Sequence, residues 1–423
     1  MMQNLNKNNI LASSNTAQKF AYSPMGKEFI EWFVGFSDGE SSFNIVPNKK
    51  DGRIYKFNFV FRIGLHIDDI DALLSIQKLL GGIGNVTKSG DEECRFTVSD
   101  KKGIEILMTI FDQFNLNTTK YLDYLNFKSA FILYHSRAGL VTSELIEKLV
   151  SLKNGMNTSR TYFDFPEGHK IQITKHWLLG LIEGEGSFNL FREGLYPNFS
   201  LVLTERQQAV IIKIKEYLVN NLGFDDNSAW VLEQTPVMGV HVQKARGVSK
   251  PAVRFIIKNL YILQNYFLPF FDRDEFLTKK GKDYSDLKLI CQLKYNGAHC
   301  DEEIAALLLK LSYTMNNFRL SNAKEAVTSL TSEEMEKLKN CKHYYEYLLD
   351  GRVMRIDTKE IVEESNLYLI TTPEGELTRS LAITDTARII GVNYRTLRSH
   401  LGKNLEGATL KNFNVKRVKV FIK

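Results

Sequence analysis

The chain has 423 residues, enough for two or three domains, and 43% of them are hydrophobic, an ordinary share for a globular protein. Its net charge of +6 comes from 55 lysines and arginines set among 49 acids, so any surface for nucleic acid must be local. Cys94, Cys291, Cys300 and Cys341 form no C-x-x-C pair and no apolar run approaches membrane-spanning length, which argues against a zinc site, a disulfide scaffold and a membrane protein.

Residues 1–22 are rich in asparagine, contain no acid and no apolar core, and read as a disordered lead, not a secretory signal. Ser23-Pro24 offers an N-cap followed by proline at the first helical position, which predicts a helix running to Glu40. That helix carries Phe33-Val34-Gly35-Phe36-Ser37-Asp38-Gly39-Glu40-Ser41-Ser42-Phe43. The pattern recurs as Leu178-Leu179-Gly180-Leu181-Ile182-Glu183-Gly184-Glu185-Gly186-Ser187-Phe188. Gly35 and Gly39 lie four apart and share one helix face, as do Gly180 and Gly184. Glycine is about 1 kcal/mol less favourable than alanine inside a helix, so two on one face imply close approach of another backbone. The two motif helices are therefore expected to pack on each other through these glycines. Glu40 and Glu185 then stand side by side at helix C-termini, which already carry partial negative charge. A divalent cation such as Mg²⁺ takes oxygen ligands and relieves that repulsion, and metals held by paired carboxylates serve phosphodiester hydrolysis.

After the first motif, residues 53–63 alternate Phe57, Phe59, Phe61 and Ile63 with Lys56, Asn58, Val60 and Arg62, the pattern of a strand with one buried face. A helix is expected over 70–80, strands around 84–88 and 95–98, and a helix over 103–114, giving the order αββαββα. The second half repeats it. Thr174 caps the second motif helix, a strand covers 199–204, a helix 206–220, strands 229–233, 237–246 and 253–257, and a helix starts at Leu260. The repeat extends to residues 119–124 against 279–284, and to 149–157 against 308–316. A repeat this long predicts duplication and pseudo-twofold symmetry. The first repeat spans 23–154, a linker 155–173 and the second repeat 174–325.

Residues 326–423 change character. Thr331-Ser332-Glu333-Glu334 is a capping-box start, and Pro373-Glu374-Gly375 sits in a hairpin-like turn. Over 383–403 two short helices meet at Gly391-Val392; Asn393 caps the second and Gly402 ends it. This is a helix-turn-helix signature, whose second helix presents Tyr394, Arg395, Arg398 and Lys403 outward.

The paired motifs resemble those of the LAGLIDADG homing endonucleases in their single-chain, two-repeat form. The resemblance implies an α+β fold of two αββαββα halves whose saddle-shaped antiparallel sheets grip DNA. It assigns Glu40 and Glu185 as catalytic metal ligands for Mg²⁺ and makes Asp38 and Glu183 mainly structural. It gives Lys120 and Lys280 a part in balancing transition-state charge or guiding the attacking water. The first copy departs from the family pattern at Ser37, an apolar position, and at Ser41, where glycine normally follows the acid. Residues 383–403 resemble the small nuclease-associated modular domain appended to such enzymes. Arg53, Lys56, Asn58, Arg62, Arg192, His241, Gln243, Lys244 and Arg246 supply strand positions suited to major-groove readout. His176, Trp32 and Trp177 are read as packing residues. The activity implied is a monomer making double-strand breaks in a long DNA target to promote intron homing, with short 3′ overhangs. Two alternatives stay open: a maturase that binds group I intron RNA, alone or alongside cleavage, and a DNA-binding regulator that has lost cleavage. An abundance of residues with AT-rich codons and the family resemblance point to an organelle-encoded mitochondrial protein.

Overall fold

In a computed structural model the described residues are 24–245, 247, 250–323, 329–348, 350–363, 367–404, 406–418 and 420. The expected N-terminal lead, the Ser23 cap and Arg246 lie outside them. The first half runs α1 (Pro24–Glu40), β1 (Ser41–Lys50), β2 (Arg53–His66), α2 (Ile70–Leu79), β3 (Asn85–Ser89), β4 (Glu93–Val98) and α3 (Lys101–Gln113). Two helices follow, α4 (Lys120–His135) and α5 (Ser143–Asn154). The second half runs α6 (Lys175–Glu185), β5 (Gly186–Phe191), β6 (Tyr196–Thr204), α7 (Gln208–Asn221), α8 (Asp226–Gln234), β7 (Met238–Gln243) and β8 (Ala252–Ile257). A helical stretch over 260–270, α9, contains a π turn at Leu263–Phe267, and α10 (Lys280–Tyr295) and α11 (Glu302–Ser312) complete the half.

The two sheets have one topology, β1-β2-β4-β3 and β5-β6-β8-β7, and every ladder in them is antiparallel. Strand alternation sets their faces. Phe57, Phe59, Phe61 and Ile63 are buried while Lys56 and Arg62 are exposed. The inner face of the first sheet meets aromatic rings from α1, α3 and α4: Phe43 lies 5.5 Å from Phe111, 5.6 Å from Tyr124 and 5.4 Å from Phe127, centroid to centroid. The β1–β2 connection needs Asp51 and Gly52 at φ 52 and 76, the left-handed pair of a tight hairpin turn.

The duplication reaches individual hydrogen bonds. Asp123 accepts from the Asn157 amide and Arg160 Nε, and Asp283 from the Asn316 amide and Arg319 Nε. Tyr124 donates to Asp112 and Tyr284 to Asp272.

Two expectations fail. Residues 229–233 are helical, within α8, because Asp225 caps the segment by accepting from the Asn227 and Ser228 amides. Its apolar run reads equally as a strand when that cap is overlooked. Gly402 does not stop its helix, which continues to Lys403 with Asn404 at the C-cap.

The C-terminal region opens with α12 (Ser332–Lys339), whose capping box forms between Thr331 and Glu334. A three-stranded sheet of β9 (Tyr345–Tyr347), β10 (Val353–Arg355) and β11 (Ile361–Glu363) sits against α10, with Tyr347 stacked on Tyr295 at 4.4 Å. Then come β12 (Leu367–Thr371), β13 (Leu377–Ser380), α13 (Ile383–Ile390), α14 (Tyr394–Lys403), β14 (Ala408–Leu410) and β15 (Phe413–Val418). The strands order β13-β12-β15-β14, and Ile370, Ala387, Ile390, Leu397, Leu401 and Val415 form a core of their own. Gly391 turns between the helices at φ 68, and Asn393 caps α14 by accepting from the Arg395 amide.

Candidate active site and nucleic-acid interface

Helices α1 and α6 cross through the glycines. A Cβ placed on Gly35 would stand 1.9 Å from the Trp177 carbonyl oxygen, and one on Gly180 would stand 2.0 Å from that of Trp32. One turn on, Gly39 faces the Glu185 Cγ and Gly184 faces the Glu40 Cγ, at 3.3 and 3.2 Å from the ideal Cβ. At Gly35 and Gly180 no side chain fits between the backbones, so the helix ends and their terminal acids are held together.

The earlier acid of each motif is consumed in structure, and across the two halves. Asp38 accepts from the Asn117 and Thr118 amides, the Thr118 hydroxyl and Trp177 Nε1. Glu183 accepts from the Leu277 and Thr278 amides, the Thr278 hydroxyl and Trp32 Nε1. Four donors compensate each buried carboxylate, and each set includes the indole of the opposite motif helix. Trp32 and Trp177 are 4% and 3% exposed, so they are core, as expected. His176 packs beside α1, 3.6 Å from Glu31.

Glu40 and Glu185 are different. Among the described residues neither accepts a hydrogen bond from the protein. Burial raises both carboxyls above the usual glutamate range; the charge of Glu40 adds to this at Glu185, and Lys120 and Lys280 oppose it at both. Lys120 Nζ donates to the Gly39 carbonyl at 2.6 Å, and Lys280 Nζ to the Gly184 and Gly186 carbonyls at 3.1 and 2.6 Å. Each lysine thus satisfies orphan carbonyls at the end of its own half's motif helix. Burial pushes both ammonium groups below the ordinary lysine value, against the pull of the nearby carboxylates. Ser41 begins β1 and donates its hydroxyl to the Ser37 carbonyl at 2.7 Å, so the first motif leaves its helix without glycine.

Two residues absent from the sequence-based set reach this site from the opposite half. Asp69 Oδ1 accepts from the Lys279 amide at 2.7 Å, and Gln207 Oε1 accepts from the Thr119 amide at 3.1 Å. Each fixes the helix start that carries the other half's lysine.

A cleft of about 1070 Å³ opens above the acids, lined among others by Glu40, Arg62, Arg95, Asn189, Arg192 and Lys280. The polar face of the first sheet places Lys56, Asn58 and Arg62 opposite Asn48, Val46 and Ser42 of β1. Arg53 is exposed at the distal end of β2, beside the hairpin. Arg62 also faces Thr97, next to Arg95. In the second sheet His241 pairs with Arg254, and Gln243 and Lys244 are exposed at the strand end. Arg192 lies beyond β5, with its guanidinium 3.8 Å over the Tyr313 ring and Nε donating to Ser312. Asn44, Arg95, Asn189, Asn198 and Arg254 share these polar faces and were missed; the alternation straight after each Ser-Phe would have found Asn44 and Asn189. Tyr394, Arg395, Arg398 and Lys403 are all exposed on α14.

Duplicated halves with one sheet topology, the second carrying the extra helix α8, are joined by glycine-packed helices that present two free acids beneath paired sheets, and these features define the class. The family model described as LAGLIDADG endonuclease matches residues 33–131 and 178–291, half of the chain, and the chain belongs to that family. It is 30% identical over 203 residues to the "probable intron-encoded endonuclease Cox1-I1b" of Schizosaccharomyces pombe, covering 47% of this chain and 52% of that one. Over 299 residues it is 26% identical to the "uncharacterized mitochondrial protein RF1" of Saccharomyces cerevisiae, covering 69% and 60%. The chain spans about half to three-fifths of the length of these relatives. Among solved structures it resembles the LAGLIDADG homing endonuclease I-GzeII in complex with DNA target, at TM-score 0.57 and 21% identity over 68% of this chain and 99% of that one. It also resembles I-SmaMI bound to uncleaved DNA target in the presence of calcium ions, at TM-score 0.57 and 22% identity over 68% and 98%. At these identities the likeness is one of fold.

Proposed function

We propose that this protein is a monomeric, site-specific DNA endonuclease that cuts both strands of a long target. The observation that carries this is the pair Glu40 and Glu185, abutting at two helix C-termini and left without protein donors, while the neighbouring acids Asp38 and Glu183 each receive four. Two hard oxygen donors with elevated carboxyl pKa, open to a cleft, suit Mg²⁺ with its preference for few carboxylates and several waters. When bound there, a divalent cation supplies Lewis-acid stabilisation of a phosphodiester and a more acidic water.

The chain's own residues do the rest. The glycine contact sets the spacing of the two carboxylates. Lys120 and Lys280 bring positive charge beside the reacting phosphates while remaining bonded to helix-end carbonyls. The polar sheet faces and their ends, with Arg53, Lys56, Asn58, Arg62, Arg192, His241, Gln243 and Lys244, follow the major groove of double-stranded DNA. The module carrying Tyr394, Arg395, Arg398 and Lys403 adds contacts beyond the saddle. An intron-encoded, mitochondrial setting accords with the relatives.

The test is cleavage of a randomised DNA library by the full chain with Mg²⁺ and then Ca²⁺, beside Glu40→Gln and Glu185→Gln. Double-strand cuts at one site, lost in both variants, support the proposal. Tight binding of group I intron RNA with no DNA cut replaces it with the maturase reading.

A further inference from the structure

The pseudo-twofold provides an internal control at every position. The correspondence that pairs Lys120 with Lys280, Tyr124 with Tyr284 and Lys128 with Lys288 also pairs Tyr134 with Lys294. In the first half Tyr134 is 6% exposed and closes its site with aromatic rings, Phe57 at 6.0 Å and Phe59 at 5.5 Å. Its hydroxyl accepts from the Phe57 amide at 3.4 Å. The Arg137 guanidinium lies 3.8 Å over the same ring but is exposed, so the buried position itself carries no charge.

In the second half the same place holds an ammonium group. Lys294 is 8% exposed, and its Nζ donates to the Gly194 carbonyl at 3.1 Å and lies 4.9 Å from the centre of the Tyr196 ring. Among the described residues no carboxylate pairs with it. A buried cation with a carbonyl, a ring face and the Cys291 and Cys300 thiols for company, and no carboxylate, is costly, and burial lowers its pKa accordingly. The group also borders a notch of about 540 Å³ that Tyr196, Gly239, His241, Ile256 and Lys258 share. Tyr196, Gly239, His241 and Ile256 lie on the polar face of the sheet, aligned with Asn198 and Arg254. The notch forms where β8 ends at Ile257 while β6 extends past it to Tyr196. Lys258 is exposed at its rim, so two lysines and a histidine converge there with no acid among the lining residues.

We propose that the notch is a phosphate-binding subsite for the DNA backbone, present in the second half only, with Lys294 as its buried anchor and Lys258 at the rim. This rests on the DNA-binding function proposed above and deepens it. A phosphodiester oxyanion supplies the missing counter-charge. The ammonium has donors to spare after Gly194, and a backbone phosphate needs a point charge and no base-specific geometry. The site stands at the outer end of β5 and β6, roughly 20 Å from Gly186 at about 3.3 Å per strand residue. The contact therefore falls toward the outer edge of one half-site. The first half has the exposed Arg137 over Tyr134 and no buried cation in that place, so the protein grips its two half-sites unequally.

The experiment uses the full-length protein and a duplex selected from a random library by the wild type, in Ca²⁺. Binding is measured across a salt series for wild type, Lys294→Met and Lys258→Met. Methionine keeps the apolar stem of a buried lysine, and Lys258 is exposed, so the second variant tests the site even if the first lowers stability. Each variant is expected to weaken binding several-fold at moderate salt and to reduce the log–log salt slope by about 0.9, the value of one phosphate contact. In wild type, a single methylphosphonate in the outer part of one half-site reproduces the loss; in Lys294→Met it has no further effect. Unchanged slopes in both variants, or two half-sites equally sensitive to methylphosphonates, overturn the proposal. Protection of the notch by inorganic phosphate alone, with no change in DNA affinity, likewise assigns the pocket to free anions. A wild type that binds no DNA refutes the endonuclease proposal instead, and the two failures are distinct.

Discussion

Replacing Gly35 with alanine isolates the contact on which the site depends. The new Cβ falls 1.9 Å from the Trp177 carbonyl oxygen, 2.7 Å from its carbonyl carbon and 2.9 Å from its Cα. That is more than about 1 Å inside an ordinary non-bonded contact. The obstacle is backbone, and Trp177 is held by its indole bond to Asp38, so no rotamer change relieves the clash. Overpacking of this kind costs about 1–3 kcal/mol. Better helix propensity returns about 1 kcal/mol. The backbone clash places the gross cost at the upper end, leaving a net loss of about 2 kcal/mol. At about 2–4 °C per kcal/mol, the midpoint falls by roughly 4–8 °C. Cleavage should fall further than stability, because helices pushed apart also separate Glu40 from Glu185. Gly39→Ala is the matched control: its Cβ meets the flexible Glu185 Cγ at 3.3 Å and the Gly184 Cα at 3.6 Å. It should stay within about 0.5 kcal/mol of wild type. Thermal melts and cleavage assays on the three proteins decide the matter. Wild-type stability in Gly35→Ala would refute the packing argument, since no harmless place for that methyl exists.

Other outcomes follow from the same geometry. Glu40→Gln and Glu185→Gln should abolish cleavage yet raise the melting point of the metal-free protein, because both carboxyls are disfavoured as anions. The sign is that of a raised folded-state pKa: their contribution to metal-free stability is full below the ordinary value of 4.5 and is lost as pH rises through the elevated one. Melts from pH 4 to 8 should show this loss in the wild type and less of it in either variant. Trp32→Phe removes a 2.8 Å donor from buried Glu183 and should cost about 2 kcal/mol by denaturant unfolding, with Trp177→Phe nearly equal by symmetry. Arg62→Ala should weaken binding to a selected target by about 1–3 kcal/mol and relax base preference at one position, read by competition against single-base variants.

Much of this was legible in the sequence because motif spacing is a steric statement. Glycines four apart predict a helix contact, and the contact then dictates where the last acid of each motif lies. The strand faces followed from alternation for the same reason. What stayed hidden depended on distant partners. Nothing local marks Asp38 and Glu183 as acceptors from Trp177 and Trp32, since those bonds join residues 139 and 151 apart. Asp69 and Gln207 differ in charge and occupy matching turns, so only their partners Lys279 and Thr119 reveal a shared task. The error over 229–233 has a local cause: α8 is short, and a run such as Ala229-Trp230-Val231-Leu232 suits either structure until Asp225 is recognised as its cap.

These cross-half bonds carry a consequence for how the molecule unfolds. Each half contributes a donor to the other's buried acid and a brace to the other's lysine-bearing helix. Neither half can open without leaving a carboxylate short of a donor in apolar surroundings. The two repeats should therefore melt as one unit despite their separate sheets. Gln207→Ala tests this, because it removes the acceptor for the Thr119 amide and the 2.6 Å bond from Gln207 Nε2 to the Thr119 hydroxyl. Two neutral hydrogen bonds are worth about 2 kcal/mol together. Calorimetry should show one core transition shifted to lower temperature, with its width kept. Lys120 lies next to the lost bonds, so cleavage should fall even at temperatures where the variant remains folded. If the variant instead melted in two separated steps, the cross-half bonds would be decorating an interface held by the glycine contact alone.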